Sequence, residues 1–97
     1  MNSLEKIYSK NPDIVFRKIA DECILVPIRH RVGDLEGIYA LNEVAARSWE
    51  LIDGKRKVEE IKEIMLNEFE VDSKDLEKDL RGLLNNLEEL GFIIKIS

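Results

Sequence analysis

Hydrophobic and polar positions follow a strand-like pattern from residue 14 to residue 41. Residues 14–20 (IVFRKIA) and 23–29 (CILVPIR) are rich in β-branched side chains, which predicts two strands joined by a tight hairpin. Residues 37–41 (GIYAL) predict a third short strand, after a loop at residues 30–36. The pattern therefore predicts a three-stranded antiparallel sheet.

The second predicted strand alternates two sets of residues that point to opposite faces of the sheet. We expect the set formed by Ile24, Val26 and Ile28 to face the core, because alternate strand residues share one face. Pro27 has no backbone N–H to donate to a neighbouring strand, so we expect it at a sheet edge or a bulge.

Helical spacing of apolar residues follows and predicts three helices. Asn42 is a good N-cap for the first helix, which we expect to end at Gly54. The second helix covers residues 58–70 and follows Lys57, at a position where Ser or Thr would cap better. Asp72 is expected to cap the third helix, which ends at Gly91. Its apolar stripe consists of leucines at positions 76, 80, 83, 84, 87 and 90.

The two ends of the chain leave alternatives open. Leu4, Ile7 and Tyr8 have helical spacing, so residues 1–10 form either a short helix or a frayed tail. We treat them as an N-terminal extension of a domain that covers residues 11–97. Residues 92–96 (FIIKI) form either a closing strand or an extended tail.

The order of the predicted elements indicates the fold class. Strands collected before helices predict an α+β domain. Few residues separate the second and third helices, as in a helix-turn-helix. A small antiparallel sheet, followed by three helices with such a pair among them, predicts a winged-helix-like fold.

Composition and charge favour one domain in a reducing compartment. The chain has 97 residues, of which 44% are hydrophobic and 36% charged, which fits a single globular domain. Its formal net charge of −5 argues against nucleic acid as a partner. The single cysteine excludes an intramolecular disulfide, and no apolar run suits a signal peptide or a membrane helix. We therefore expect a cytoplasmic protein without membrane contact.

The residues offer little support for an enzyme. His30 is the single histidine and stands between two arginines in a predicted loop, an arrangement typical of a solvated side chain. Cys23 lies in a predicted strand, where we expect a small buried hydrophobe. The sequence contains no CxxC motif, no HExxH motif and no glycine-rich phosphate loop. We therefore expect neither a metal site nor a cofactor. Trp49 lies on the apolar face of the first helix, so we assign it to the core.

A polar stripe on the third predicted helix raises an alternative function. The stripe recurs at three- and four-residue intervals and consists of Lys74, Lys78, Arg81 and Asn85. In a winged helix such a stripe can face phosphates, so a DNA-binding transcription regulator is the alternative hypothesis. Acidic residues border the stripe on both sides, and the spacing of Glu77 and Arg81 favours pairing within the helix instead.

The third predicted strand suggests binding by shape. An exposed sheet edge offers unpaired N–H and C=O groups, to which an extended peptide can add as a further strand. The third helix can form the second wall of such a groove. Gly82 lies inside that helix, where glycine costs about 1 kcal/mol relative to alanine. It is either simply tolerated, packed closely against the sheet, or retained because it leaves room for another backbone.

Four segments of the chain together resemble the PqqD family, small proteins named for pyrroloquinoline-quinone biosynthesis protein D. They are NPDIVFRKI, LVPI, GIYALNEVAARSWELIDGKRKVEEI and DLEKDLRGLLNNLEELGFI, and they span about residues 11–93. The resemblance implies a RiPP recognition element, a non-catalytic peptide chaperone with a winged-helix-like fold. Such a domain binds the leader of a ribosomally made precursor peptide and presents it to a modifying enzyme, often a radical-SAM maturase.

The resemblance also implies where the leader binds, namely on the third strand and against the third helix. The strand positions are Gly37, Ile38, Tyr39, Ala40 and Leu41. On the helix we select the flank that contains the glycine, formed by Asp79, Gly82, Leu83 and Asn86. Lys78 borders this flank and can meet an acidic leader side chain, and the opposite flank, with Arg81 and Leu84, is the alternative.

Two positions depart from the family pattern. Glu43 stands where many members of the quinone pathway carry a proline, and Lys57 replaces a small hydroxyl residue before the second helix. The resemblance therefore leaves the pathway and the product open. It implies no cofactor for this chain, because an iron–sulfur cluster or S-adenosylmethionine would belong to the partner enzyme. A monomer and a homodimer both agree with the sequence.

Overall fold

The computed structural model describes residues 3–28 and 38–97 of the chain. The strands in these ranges are β1 (Tyr8–Lys10), β2 (Ile14–Ile19), β3 (Glu22–Pro27), β4 (Tyr39–Leu41) and β5 (Ile93–Lys95). The helices are α1 (Glu43–Leu51), α2 (Val58–Glu68) and α3 (Ser73–Glu89). A short 3-10 helix, Ser3–Glu5, precedes β1.

The predicted fold class is confirmed. β2 pairs with β3 and β3 pairs with β4, both antiparallel, and the three helices follow this sheet along the chain. Residues 69–72 join α2 to α3, as in the predicted helix pair. The result is a winged-helix-like α+β domain.

The inward face of β3 is not the predicted one. Leu25 is 0% exposed and Cys23 packs against the core. Ile28, by contrast, is 53% exposed. The prediction that Ile24, Val26 and Ile28 face the core is therefore wrong, and the alternate set of residues points inward.

The pairing of β3 with β4 explains this orientation. Tyr39 lies opposite Leu25, and Leu41 lies opposite Cys23. Residues directly opposite each other in a sheet point to the same face. Leu41 is buried immediately before α1 begins, so its cross-strand partner also turns toward the helices.

The N-terminal segment contains a strand that the sequence pattern does not predict. Residues 8–10 form β1, which pairs antiparallel with β5, and Tyr8 lies opposite Lys95. Tyr8 is buried, with 3% of its surface exposed. Of the two alternatives for residues 92–96, the strand is therefore the one found. The domain boundary after residue 10 stays a prediction.

Main-chain groups of the N-terminal segment also complete the start of α2. The N–H of Val58 donates to the carbonyl of Lys6 at 2.9 Å. The N–H of Lys57 donates to the carboxylate of Glu60 at 2.9 Å. The ammonium of Lys57 has no lone pair and cannot accept a hydrogen bond as a Ser or Thr cap would. Tertiary contact thus supplies part of the cap that the local sequence lacks.

Helix α3 begins and ends as predicted. Asp72 caps its first turn through the side-chain carboxylate. At the other end Gly91 adopts a φ of 77°, in the left-handed region that glycine tolerates. The N–H of Gly91 donates to the carbonyl of Glu88, and the N–H of Phe92 donates to the carbonyl of Leu87, the two bonds of a Schellman motif. This turn directs Phe92 into the core.

The core lies between the helices and the inward face of the sheet. Trp49 is 3% exposed, so its assignment to the core is confirmed, and the Nζ of Lys10 lies 5.3 Å from its ring centroid. The buried leucines of α3 are Leu76, Leu80, Leu84 and Leu87. Leu83 and Leu90, from the same predicted stripe, are only partly buried.

The β2–β3 hairpin generates a stability prediction. Ala20 has a φ of 55°, in the left-handed region that costs a non-glycine residue about 1–2 kcal/mol. A positive φ at the first of two loop residues fits a type II′ turn, in which glycine is preferred there. We expect Ala20→Gly to raise the free energy of unfolding by about 0.5–1 kcal/mol, measured by urea denaturation.

Asp21→Gly is the matched control in the same loop. Among the described non-glycine residues, positive φ occurs at Ala20 and not at Asp21. Glycine at position 21 therefore adds conformational freedom to the unfolded chain without relieving strain, and it should lower stability. Equal effects of the two substitutions would contradict strain at Ala20.

Candidate functional site

β4 is an edge strand of the described sheet. The strand order is β2–β3–β4, so β4 pairs with β3 on one side and with no other described strand on the opposite side. Such an edge presents unpaired N–H and C=O groups to an extended chain that lies beside it.

A groove of about 680 Å³ lies between this edge and the helices α1 and α3. We call it the β4–α3 groove. Its strand side includes Tyr39 and Ala40, and its helix α1 side is formed by Val44, Ala45 and Ser48. Its α3 side includes Asp75, Leu76, Lys78, Asp79, Leu80, Gly82, Leu83 and Asn86.

The groove brings together most of the residues selected from the sequence. Those that line it are Tyr39, Ala40, Lys78, Asp79, Gly82, Leu83 and Asn86. Leu41 is 7% exposed and packs in the core, so only its main chain is available at the edge. Ile38 is 63% exposed and lies just before β4. Gly37 lies outside the described residues.

The alternative flank of α3 faces another part of the molecule. Leu84 is buried in the core. Arg81 donates to the Glu77 carboxylate at 2.8 Å, so the predicted pairing within the helix is confirmed. Both residues lie along a separate small cavity beside Leu4 and Tyr8. This flank therefore does not face the β4 edge.

Gly82 faces open space. A Cβ atom built on this residue would meet no heavy atom within 4 Å outside the helix's own neighbouring backbone. Close packing against the sheet therefore does not explain the glycine. A larger side chain at this position would extend into the groove that Gly82 lines.

Tyr39 connects the two walls of the groove. Its hydroxyl accepts a long hydrogen bond of 3.4 Å from the side-chain amide of Asn86. Its ring makes an edge-to-face contact with Phe92, with ring centroids 6.4 Å apart. These contacts hold β4 beside the C-terminal half of α3.

The α1 wall is the part of the groove that sequence reasoning missed. Ala45 lies four residues before the core residue Trp49 on α1, so helical spacing predicts that it shares the core face, yet it is only partly buried and lines the groove with Val44. Ser48 is 1% exposed, and its hydroxyl donates to the carbonyl of Val44 at 2.9 Å. Small side chains at positions 45 and 48 were the available signal, because they leave space beside a helix.

One cation of the polar stripe on α3, Arg81, is engaged in an ion pair with Glu77. The Glu77 carboxylate accepts from Lys62 at 2.8 Å as well as from Arg81. The hydrogen bond and the charge of Lys62 hold the pKa of Glu77 below its ordinary value. The strongest cation of the stripe, Arg81, is thus neutralised locally and is not a free phosphate contact.

The described residues contain no group of three or more His, Cys, Asp or Glu side chains placed to hold a metal ion. Cys23 is half-buried and unpaired with another cysteine. His30 lies outside the described residues, so its predicted solvated role stays a prediction. Within the described ranges, no helix has the length and apolar character needed to cross a membrane.

Comparisons with known proteins agree with this geometry. A solved structure described as "TbiB1 in Complex with the TbiA(beta) Leader Peptide" is similar to this chain, with a TM-score of 0.71 and 26% sequence identity. The similarity covers 92% of this chain and 98% of that one. No curated protein matches the chain.

The model of the family described as coenzyme PQQ synthesis protein D matches residues 22–93. The matched region contains β3, β4, the three helices and the first residue of β5. It includes all described residues that line the β4–α3 groove. Because the match spans most of the chain, the chain belongs to the PqqD family.

Proposed function

We propose that this chain binds the leader segment of a ribosomally synthesised precursor peptide as an added strand on β4, against α3. The observation that carries the proposal is the unpaired edge of β4 beside a groove whose second wall is a helix. Membership of the PqqD family supports it. The similar structure that contains a leader peptide supports it further.

The groove has the dimensions and chemistry for strand addition. Main-chain hydrogen bonds to a sheet edge tolerate many guest sequences, whereas pockets for alternate side chains give selectivity. The wall of α3 extends from Asp75 to Asn86, a length of about 16.5 Å at the rise of an α-helix. A strand of about five residues spans that distance. Gly82 lies within this wall and leaves its middle open.

We further propose that the chain acts without turnover and delivers the leader to a separate modifying enzyme. A radical-SAM maturase is the enzyme class that the family resemblance favours, and its iron–sulfur cluster and S-adenosylmethionine would be bound by that enzyme. The cytoplasmic location and the choice between a monomer and a homodimer stay predictions.

The alternative of a DNA-binding regulator lacks a supporting observation. A phosphate-binding helix needs free cations, but Arg81 is paired with Glu77 on α3. Lys62 is bound to the same carboxylate. Together with the net charge of −5, this arrangement disfavours a DNA backbone as the partner of α3.

Titration of the isotopically labelled chain with a candidate leader peptide tests the proposal. We expect amide chemical-shift changes at residues 38–41 and along α3, because strand addition creates hydrogen bonds there. Cys23 should not respond, since it is not among the described residues that line the groove, and the sequence analysis leads us to expect no response at His30 either. A response confined to the N-terminal segment would contradict binding in the groove.

Gly82→Leu tests the groove more directly. A leucine side chain would fill the space that a guest backbone needs, so we expect leader affinity to fall at least about tenfold, or 1.4 kcal/mol. The fold should remain intact, because leucine has a higher helix propensity than glycine by up to about 1 kcal/mol. Fluorescence anisotropy measures the affinity, and thermal denaturation measures the stability.

Lys74→Leu is the matched control on the same helix. Lys74 is exposed in the first turn of α3 and does not line the groove. This variant adds the same apolar side chain to α3 and should leave leader affinity unchanged. If Gly82→Leu also left the affinity unchanged, the guest would not cross the open face of α3.

A further inference from the structure

The α3 wall of the β4–α3 groove divides into two chemically different parts. Its N-terminal half carries the carboxylates of Asp75 and Asp79, and the ammonium of Lys78 lies between them in sequence. Its central part is apolar, with Leu83 partly buried at the groove surface. A guest strand that runs along this wall therefore meets charge first and an apolar surface next.

The carboxylates of this wall are not neutralised within the described part of the chain. Neither Asp75 nor Asp79 belongs to an ion pair between described residues. Two cations close to this helix, Lys62 and Arg81, both bind Glu77 instead. Both aspartates are exposed and available to a guest.

The third carboxylate at this end of the groove has a structural role. Asp72 accepts hydrogen bonds from the N–H groups of Lys74 and Asp75, at 3.0 and 3.2 Å, as the N-cap of α3. It therefore adds negative charge to the groove entrance while its position is fixed by the helix. Against these three carboxylates the groove lining offers one cation, Lys78, within the described residues.

The spacing along the wall matches the spacing of a strand. Residues four apart on a helix are about 6 Å apart along its axis, which is the separation of Asp75 from Asp79 and of Asp79 from Leu83. Alternate side chains on one face of a strand are about 6.5 Å apart. Successive guest side chains on that face therefore meet the acidic part and then the apolar part.

We infer that the guest strand carries a lysine or arginine opposite Asp79, with Asp75 close by, and an apolar residue two positions away opposite Leu83. This inference rests on the proposed function and specifies the class of peptide that the groove selects. A guest cation opposite Asp79 is also about 6 Å along the helix axis from Asp75, so both carboxylates attract it within the Debye length of about 8 Å at physiological salt. An acidic guest residue would meet Lys78 but also the more numerous carboxylates beside it.

Peptide selection tests the inference, because it does not require the sequence of the precursor. A displayed library of random twelve-residue peptides is selected against the immobilised wild-type chain and, in parallel, against Gly82→Leu. We expect peptides that bind wild type but not Gly82→Leu to be enriched in Lys or Arg two positions from an aliphatic or aromatic residue. One such peptide, labelled with fluorescein, is then used for affinity measurements.

Neutral variants of the wall separate local attraction from the overall acidity of the chain. Asp75→Asn combined with Asp79→Asn should lower the affinity for the selected peptide by about threefold to tenfold, as expected for partly exposed ion pairs. Glu59→Gln combined with Glu63→Gln is the matched control on α2, with the same spacing, the same charge change and no contact with the groove. The control should leave the affinity unchanged.

The outcomes distinguish this inference from the function on which it rests. The inference would be overturned, and strand addition left intact, by either of two results. The peptides that bind wild type but not Gly82→Leu could show no enrichment in Lys or Arg, or the two double variants could lower the affinity for the selected peptide equally. Peptides that bind wild type and Gly82→Leu equally would overturn the groove itself, and the inference with it. A basic preference that is lost in the aspartate variants and kept in the control supports it.

Discussion

Burial of one face of α3 is the interaction on which the groove depends. The buried residues of this helix are all leucines, each at most 4% exposed: Leu76, Leu80, Leu84 and Leu87. Fully burying a leucine side chain contributes about 1.5–3 kcal/mol, so this face sets the rotation of the helix about its axis. Once that rotation is set, the flank with Gly82 and Leu83 must face β4, and Arg81 must face away. The groove is therefore a consequence of core packing.

Contacts of the two chain ends with the rest of the domain hold the β4 side of the groove in place. The Schellman motif at Gly91 turns the chain so that Phe92 enters the core, where its ring contacts Tyr39 of β4. β5 then pairs with β1, and the segment before β1 supplements the start of α2, where the carbonyl of Lys6 accepts the N–H of Val58. The groove thus has walls that are fixed by separate parts of the sequence, and the site proposed for the guest strand is already formed in the chain without it.

The distribution of charge then determines what the groove can select. Arg81, one of the cations that the sequence pattern offered to phosphates, is paired with Glu77, which also binds Lys62. On the groove side of α3, Asp75 and Asp79 form no ion pair between described residues. Because a sheet edge binds main chain with little regard to sequence, these side chains are the ones that can distinguish one peptide from another.

Local chemistry determined most of the elements and half of the site. Strand composition, the Asn42 and Asp72 caps and the Gly91 terminus lie within a few residues of the elements they define, so the sequence alone predicts β2, β3, β4 and the three helices. The same periodicity places the glycine flank of α3 beside its buried leucines. The tertiary structure alone decided the rest. β3 has apolar residues at both alternating sets, so only pairing with β4 could choose its inward face. β1 forms by pairing with β5, which lies at the far end of the chain. The α1 side of the groove forms because α1 and α3 pack side by side. A local sequence pattern predicts neither of these contacts between distant segments.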